Sequence, residues 1–330
     1  MKNAVYVTTA KPSEGSGGGV VALHEIKALN PSLVVSMSEQ SPFLNDYFCL
    51  WKLRNRNEAP FELAHFYGAP FGLTADYLKK QGTRIFATVP AHNLERSVEE
   101  HIKLFGQYPY NHMTDPYLWS IYSHHIKIAD TVICPSKMSA DDIKQKLQLT
   151  KDPIVIRHGC NIPKEPAPYP ETFTVGHLGQ VGPDKGDIYL VQAWNSLKLP
   201  NARIFIAGQG TERLGGAGYI PDEKVFHNSI SIYVQSSVSE GFGIPVLDAM
   251  ANARPIIVSE GAGVHEIVED GKDGFVIPIR DPLVIAEKIR FFAEHPDEIV
   301  RMGRNARVKS ERFSWNKIEK EYESLISEVC

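Results

Sequence analysis

No two of the four cysteines in this 330-residue sequence stand close together: Cys49, Cys134, Cys160 and Cys330 form no C-x-x-C pair. That absence argues against a zinc cluster and against the disulfide framework of a small secreted domain, and it fits a reducing compartment. There is no run of about 18 apolar residues to span a bilayer. The opening stretch MKNAVYVTTAKPSEG starts on one lysine and a short apolar run, then turns polar. It reads as a first strand rather than a secretory signal, and a cytoplasmic protein is expected. An excess of positive charge is missing too: 35 Lys and Arg stand against 39 Asp and Glu, a net charge of −4. Nothing in that balance draws the chain to nucleic acid, and no nucleic-acid partner is expected, although a local basic patch at a membrane surface stays open. There is no repeat of fixed period.

What is present is ordinary globular composition, 43% hydrophobic and 22% charged, in a chain long enough for two domains of about 150 residues. Short β-branched runs alternate with helical segments. AVYVTT, SLVVSM, RIFATV, TVICPS and PIVIRHG come before residue 160; FTVGHLG, ARIFIAG, SIYVQSS, PIIVSEG and GFVIPI come after it. Such alternation predicts an α/β fold, with a parallel sheet wrapped by helices in each half: two Rossmann-like domains facing a central cleft. Pro163, Pro166, Pro168 and Pro170 crowd the join, and proline continues neither a helix interior nor a sheet ladder, so residues 163–172 read as a stiff, exposed linker. The domains are then 1–162 and 173–313. A last helix, 314–330, carries Ile318, Tyr322, Leu325 and Ile326 at spacings of three and four; this stripe must bury on one domain or the other, and it can pack back on the first.

The stretch SEGFGIPVLDAMA, residues 239–251, concentrates chemistry. It follows the strand SIYVQSS, and Pro245 suits the first position of a helix, which makes Ser239 to Ile244 a loop at a strand's carboxyl end. Ligands of open parallel sheets sit at that edge, where a helix N-terminus offers free N–H groups to an anion. Gly241 and Gly243 lack Cβ atoms and allow close backbone approach, with Phe242 and Ile244 beside them. Glu240 enters the loop, and Asp248 is expected in the helix's first turn. The pair can grip two parts of one long ligand, or Asp248 can serve only the helix dipole while Glu240 is a solvated acid.

The segment SSVSEGFGIPVLDAMANARPIIVSEGAGVHEIVEDGKDGFVIP resembles the donor-site segment of the large family of retaining glycosyltransferases with the GT-B fold, often called family 4. VGPDKG (181–186), RIFIAGQG, EIVEDGKDGFVI and the tail RMGRNARVKSERFSW match as well. The first half matches more loosely, through ADTVICPS, IVIRHGCNIP and a glycine-rich first loop. The resemblance implies a transferase moving a sugar from a nucleoside-diphosphate sugar, of UDP- or GDP-hexose type, to an acceptor with retained configuration. It implies that Glu240 contacts the donor sugar and that Asp248 holds the ribose. Two positions depart from the family. Asp248 stands where a glutamate is usual, and Gln180 stands where an arginine usually faces the diphosphate, leaving that charge to Lys185, the helix N-terminus and nearby His177. No metal and no other cofactor are implied, since no D-x-D lies near the site. The acceptor is open: a glycan, a lipid-linked sugar or a small molecule.

In the first half, Gly17, Gly18 and Gly19 open a helix after the first strand; they either bring amides to the diphosphate or form an unspecific loop. Gly17, Gly19 and Ala22 also satisfy G-x-G-x-x-A, with Glu39 where a dinucleotide-binding acid belongs, but six residues separate the strand from Gly17, whereas that turn is tight. His92 follows RIFATV at a strand's carboxyl end, where the family often sets a histidine against the donor sugar; a structural or exposed histidine is the plainer alternative. His124 and His125 lack an acidic partner at metal-like spacing. FLNDYFCLWKLRNRN (43–57) mixes Phe43, Leu44, Phe48, Leu50, Trp51 and Leu53 with Lys52, Arg54 and Arg56, which suits either a half-buried helix with a charged outer face or a membrane-surface element. Besides a transferase, the chain fits a nucleotide-sugar epimerase or hydrolase, a sugar-nucleotide-binding protein that has lost turnover, or, less well, an NAD oxidoreductase.

Overall fold

The computed structural model describes residues 3–13, 17–36, 42–56, 60–68, 71–90, 93–109 and 116–329. The chain divides into two compact units. Unit 1 is Met1–Ala91, Pro109–His158 and Asn316–Cys330; unit 2 is His92–Tyr108 and Gly159–Trp315.

Unit 1 begins with β1 (Ala4–Thr8), α1 (Gly17–Leu29), β2 (Leu33–Ser36), α2 (Pro42–Arg54), β3 (Leu63–Tyr67), α3 (Gly72–Lys80) and β4 (Arg84–Thr88). After β4 the chain runs through α4 (Leu94–Phe105), which belongs to unit 2, and returns as α5 (Pro116–Ile128), β5 (Thr131–Cys134), α6 (Lys137–Leu147) and β6 (Ile154–Val155). The sheet has the order β2-β1-β3-β4-β5-β6 and every pairing is parallel. Strands β1 and β3 are buried along their whole length, as expected of a sheet covered on both faces. Unit 2 continues with β7 (Phe173–Leu178), α7 (Asp187–Ser196), β8 (Ala202–Ala207), α8 (Glu223–Ser229), β9 (Ile232–Gln235), α9 (Ile244–Ala251), β10 (Ile256–Ser259), β11 (Gly274–Ile277), α10 (Pro282–Glu294) and α11 (Pro296–Ser310). Its sheet, also parallel, has the order β11-β10-β9-β7-β8. The strand order reverses direction between β1 and β3 in unit 1, and between β7 and β9 in unit 2. At such a reversal the loops leaving two neighbouring strands diverge and open a crevice at their carboxyl ends.

The final helix, α12 (Trp315–Val329), completes unit 1. Its apolar stripe of Ile318, Tyr322, Leu325 and Ile326 is buried. Its polar anchor is Glu25 of α1, itself 1% exposed. The Glu25 carboxyl accepts from Tyr6 Oη at 2.6 Å, Thr88 Oγ1 at 2.8 Å and Tyr322 Oη at 2.7 Å, joining β1, β4, α1 and α12 in one network. Burial, followed by the charge of Glu25, pushes both phenols well above their usual range, so they stay protonated and donate. On the rim, Glu319 meets His24 Nδ1 at 2.6 Å and Lys27 Nζ at 2.7 Å.

One expectation needs correction, and two segments are more closely defined than their sequence alone defines them. Residues 92–108 do not stay with the first domain: Glu100 of α4 is fully buried in unit 2, bonded to Tyr189 Oη and 2.6 Å from Arg280 Nε, and Lys103 donates to Tyr189 Oη at 2.7 Å. Residues 163–172 are exposed along much of their length, as expected of a linker, and their stiffness has a source. Arg254, 0% exposed, donates to the carbonyls of Ala167 (3.0 Å) and Pro168 (2.6 Å) and lies 4.4 Å from the centre of the Tyr169 ring, strapping the segment to unit 2. The outer face of α2, finally, is aromatic as well as charged: Tyr47, Trp51, Lys52 and Arg54 are exposed, while Asn45 and Asp46 are buried.

Removing one donor from the Glu25 network should be felt by the whole of unit 1. Tyr322→Phe is expected to lower stability by about 2 kcal/mol, the usual cost of leaving a buried acceptor short of a charge-assisted bond. Urea unfolding checks it; an unchanged midpoint would show that the network contributes nothing.

Candidate active site

In unit 2 the loop leaving β7 and the loop leaving β9 are locked together by backbone geometry. Residues 183–185 form a single tight turn, and Gly186 then takes φ +65° before α7 begins. A Cβ on Gly186 would lie 2.1 Å from the Ser236 carbonyl oxygen, so only glycine allows this approach. Around that contact, Ser236 Oγ donates to the Gly186 carbonyl at 3.0 Å, and the amides of Val238 and Ser239 donate to the Asp184 carbonyl at 2.8 and 3.0 Å. From the far side, Gly208 at φ +125° presses on Gly179: a Cβ there would come within 1.9 Å of the Gly179 carbonyl. Asp187 heads α7 and accepts from the Gly182 amide at 3.1 Å, holding the loop at the helix's N-terminus.

This lock brings Lys185 and Glu240 together, each about three-quarters buried, as an ion pair through Nζ and Oε2. Asp184 Oδ2 is 3.8 Å from the same ammonium. Burial pulls the Lys185 ammonium down, but the carboxylates of Glu240 and Asp184 outweigh it and hold it above its ordinary range. Glu240 is fixed by its backbone: its amide donates to the Gly261 carbonyl at 2.9 Å and its carbonyl accepts from the Gly263 amide at 3.0 Å. The following residues run into α9. Gly241 and Phe242 are buried, the Phe242 carbonyl accepts from the Val264 amide at 2.9 Å, and Gly243 caps α9 at φ +111°.

Helix α9 starts at Ile244, one residue before Pro245, so Asp248 falls in the second turn and not the first. What raises its proton affinity is its setting. Burial, then the charge of Glu223 on α8, pushes the Asp248 carboxyl well above the usual carboxylate range, against the opposing amide of Asn161. Glu223 is raised as well, by burial and then by Asp222. A partly buried acid, Asp248, thus has a second, exposed acid, Glu223, as its like-charged neighbour.

The other candidates scatter. Gln180 is exposed on the loop between β7 and the turn. His177, considered for leaving-group support, is 1% exposed; its Nδ1 is 2.9 Å from the Val234 carbonyl and its Nε2 is 2.9 Å from Asp187 Oδ1, so it braces β7 against β9 and α7 from beneath. Burial lowers the His177 pKa, yet Asp187 overrides it and leaves the ring above its ordinary value. Gly17, Gly18 and Gly19 form the first turn of α1 at the carboxyl end of β1 in unit 1. His92 and Glu39 lie outside the described residues. Among the described residues, no three His, Cys, Asp or Glu side chains are grouped to hold a metal ion, and no helix is long and apolar enough to cross a membrane.

Two contributors escaped the sequence reading. Ser239, next to Glu240, donates to the Asn93 carbonyl at 2.8 Å, so the N-terminal end of α4 supports the site loop from a stretch about 146 residues away in the chain. Glu223 is the other. Neither carries a local motif, because each acts through a contact that exists only after folding.

Comparison with known proteins agrees with this layout. Residues 172–295 match the family model of Glycosyl transferases group 1. The chain is 29% identical over 161 residues to the putative glycosyltransferase EpsD of Bacillus subtilis, covering 44% of this chain and 42% of that protein. It is 29% identical over 217 residues to an uncharacterized glycosyltransferase of Methanocaldococcus jannaschii, covering 60% of each. These matches therefore span only about half the length of those relatives. In fold it is similar to HepE of Anabaena, solved in complex with UDP and glucose, at a TM-score of 0.76 and 16% identity over 99% of this chain and 100% of that one. Within unit 2, residues 172–295 are thus similar to glycosyl transferases group 1, and the chain as a whole has the GT-B fold.

Proposed function

We propose that the chain is a retaining, metal-independent glycosyltransferase that moves a hexose from a nucleoside-diphosphate sugar to an acceptor. The observation that carries this reading is the Lys185–Glu240 ion pair, held at the carboxyl edge of the sheet where strand order reverses, beside the N-terminus of α9. A diphosphate entering there meets one cation and a row of amides; a sugar entering there meets one carboxylate. Lys185 exchanges Glu240 for phosphate oxygens, and Glu240 is released to hydroxyls of the sugar. Asp248 and Glu223 hold the ribose hydroxyls, and the segment 211–228 borders the base.

In the reaction the bond from the anomeric carbon to the β-phosphate oxygen breaks while the acceptor oxygen bonds to the same face of that carbon. The acceptor's proton passes to the departing phosphate oxygen. The protein's share is to position both partners and to stabilise negative charge on the diphosphate through Lys185 and the amides from Gly241 to Gly243. The family resemblance gives His92 to the donor sugar and Gly17, Gly18 and Gly19 to the diphosphate. UDP-glucose heads the list of donors because HepE, a fold relative, was solved with UDP and glucose.

Lys185→Ala and Glu240→Ala should each reduce transfer at least about a hundredfold, as the loss of a transition-state charge contact does, while the melting temperature stays close to wild type. Thermal shift with UDP, GDP, ADP and TDP sugars, and NAD as counter-ligand, identifies the donor by mass action. Stabilisation by NAD alone, or full transfer in either variant, would end this reading.

Gln180→Arg restores a cation to the exposed loop and is expected to tighten nucleoside diphosphate binding several-fold. Calorimetric titration tests it; weaker binding would place Gln180 away from the phosphates.

Asp248 supplies a test with a sign. Its folded-state pKa lies above the unfolded value of about 3.9, so the native chain keeps a proton that the unfolded chain has lost. The stabilisation is full below about pH 4 and declines as pH rises through the raised value. Asp248→Asn removes that decline, and should melt higher than wild type at neutral pH while binding the nucleoside more weakly. A lower melting temperature at neutral pH would contradict the assignment.

A further inference from the structure

Lys185 is the only lysine or arginine in the two loops that build the site, residues 179–186 and 236–244, and Gln180 beside it is neutral. Its ammonium faces three carboxylates. Glu240 pairs with it directly, Asp184 Oδ2 lies 3.8 Å away, and Asp187 at the head of α7 adds its field. His177, beneath the turn, is 2.9 Å from Asp187 Oδ1 and engages that acid. On the loops themselves, Glu240 and Asp184 are then two acids against one ammonium.

The Lys185–Glu240 pair differs from a meeting of mobile surface chains, whose ion pairs are worth little. Lys185 stands in a turn closed by its own amide on the Gly182 carbonyl at 3.0 Å, and Glu240 is tied at both its amide and its carbonyl, to Gly261 and Gly263. The side chains are 27% and 22% exposed. Charges fixed in position and largely out of water act on one another, and on a ligand, with less screening than exposed ones.

Two ligands that differ only in the sugar meet this pair differently. A nucleoside diphosphate without a sugar takes Lys185 for its phosphate oxygens and leaves Glu240 in place with an anion beside it. An ionised carboxylate only accepts hydrogen bonds, and ionised phosphate oxygens offer it none. Glu240 thereby loses its cation and gains a like-charged neighbour, and both changes are unfavourable. The free diphosphate also carries a second charge on its terminal phosphate, which a sugar ester does not. With the sugar attached, hydroxyls donate to the Glu240 carboxylate and stand between it and the phosphates. Both members of the broken pair then have new partners.

We infer that Glu240 is a selectivity residue: through its pairing with Lys185 it admits a nucleoside diphosphate that carries a sugar and disfavours the same nucleoside diphosphate without one. This rests on the donor-site reading of Lys185 and Glu240 given above, and adds a role that follows the chemistry. Once the sugar has left with the acceptor, Glu240 takes Lys185 back and helps displace the diphosphate product.

Calorimetric titration of the full chain with UDP-glucose and with UDP tests it, with GDP-mannose and GDP as the second pair of probes. The readout is the ratio of dissociation constants, diphosphate over sugar nucleotide. Glu240→Gln keeps the length of the side chain and removes its charge. It should tighten UDP about tenfold or more without tightening UDP-glucose, the scale set by one fixed like charge a few ångströms away. The ratio then falls by about the same factor. Asp184→Asn separates this from a general gain in positive potential: its carboxylate lies on the turn that carries Lys185, so its removal should tighten both ligands alike and leave the ratio unchanged. The backbone bonds of Glu240 do not involve its side chain, so circular dichroism melting should find the variant folded, and Glu240→Ala should move UDP in the same direction. An unchanged ratio in Glu240→Gln, or an equal fall in Asp184→Asn, would overturn the inference while leaving the donor-site reading intact, because wild type still binds. Wild type that binds neither pair of probes would overturn the donor-site reading and this inference with it.

Discussion

Everything in the candidate site depends on one contact that no side chain makes: the close approach of Gly186, in the left-handed region, to the carbonyl of Ser236. A strand-end loop is ordinarily the loosest part of an α/β unit. Here two such loops share backbone hydrogen bonds from Val238 and Ser239 to Asp184, and the Ser236 hydroxyl donates to the Gly186 carbonyl. Their side chains then have little freedom left to lose when a ligand arrives. Preorganisation of this kind places the charges before the substrate is present, the condition under which fixed dipoles and ions favour a transition state over its ground state.

The charges themselves are arranged against easy stability. Lys185 is about three-quarters buried among carboxylates, and Asp248, a partly buried acid, has the exposed Glu223 as a like-charged neighbour. A chain selected for stability alone would replace such a pair with apolar groups or an ion pair. Clustering of perturbed groups along one sheet edge, while the cores of both units are conventionally apolar, separates the part of the molecule that holds a shape from the part that does chemistry.

Most of the sheet framework was legible because buried parallel strands are written as β-branched runs, and AVYVT, TVIC, FTVGHL and IIVS all read as strands and are strands. Strand β3, LAHFY, was missed. It is buried on both faces yet mixes histidine, alanine and aromatics, so it shows neither alternation nor a β-branched run. Lys185 and Glu240 were legible as candidates through the glycines and proline that punctuate their loops, whereas their ion pair was not. Less legible was anything set by rotation or by long-range contact. The roll of α2 is decided by Asp46 capping another helix, the seating of α4 by Glu100 meeting Tyr189 and Arg280, and the strapping of residues 163–172 by Arg254. Composition within a segment carries no record of such partners.

The Glu25 network bears on how the polypeptide is made. Tyr6 and Glu25 emerge early from the ribosome, whereas Tyr322 belongs to the last helix described. Unit 1 therefore holds a buried carboxyl short of a donor, and an uncovered apolar groove, throughout translation of unit 2, whose strands are contributed by residues between the two ends. Domains usually mature in the order of their synthesis. This one inverts the order: the later unit can close first, and the earlier one matures when α12 arrives to seal it.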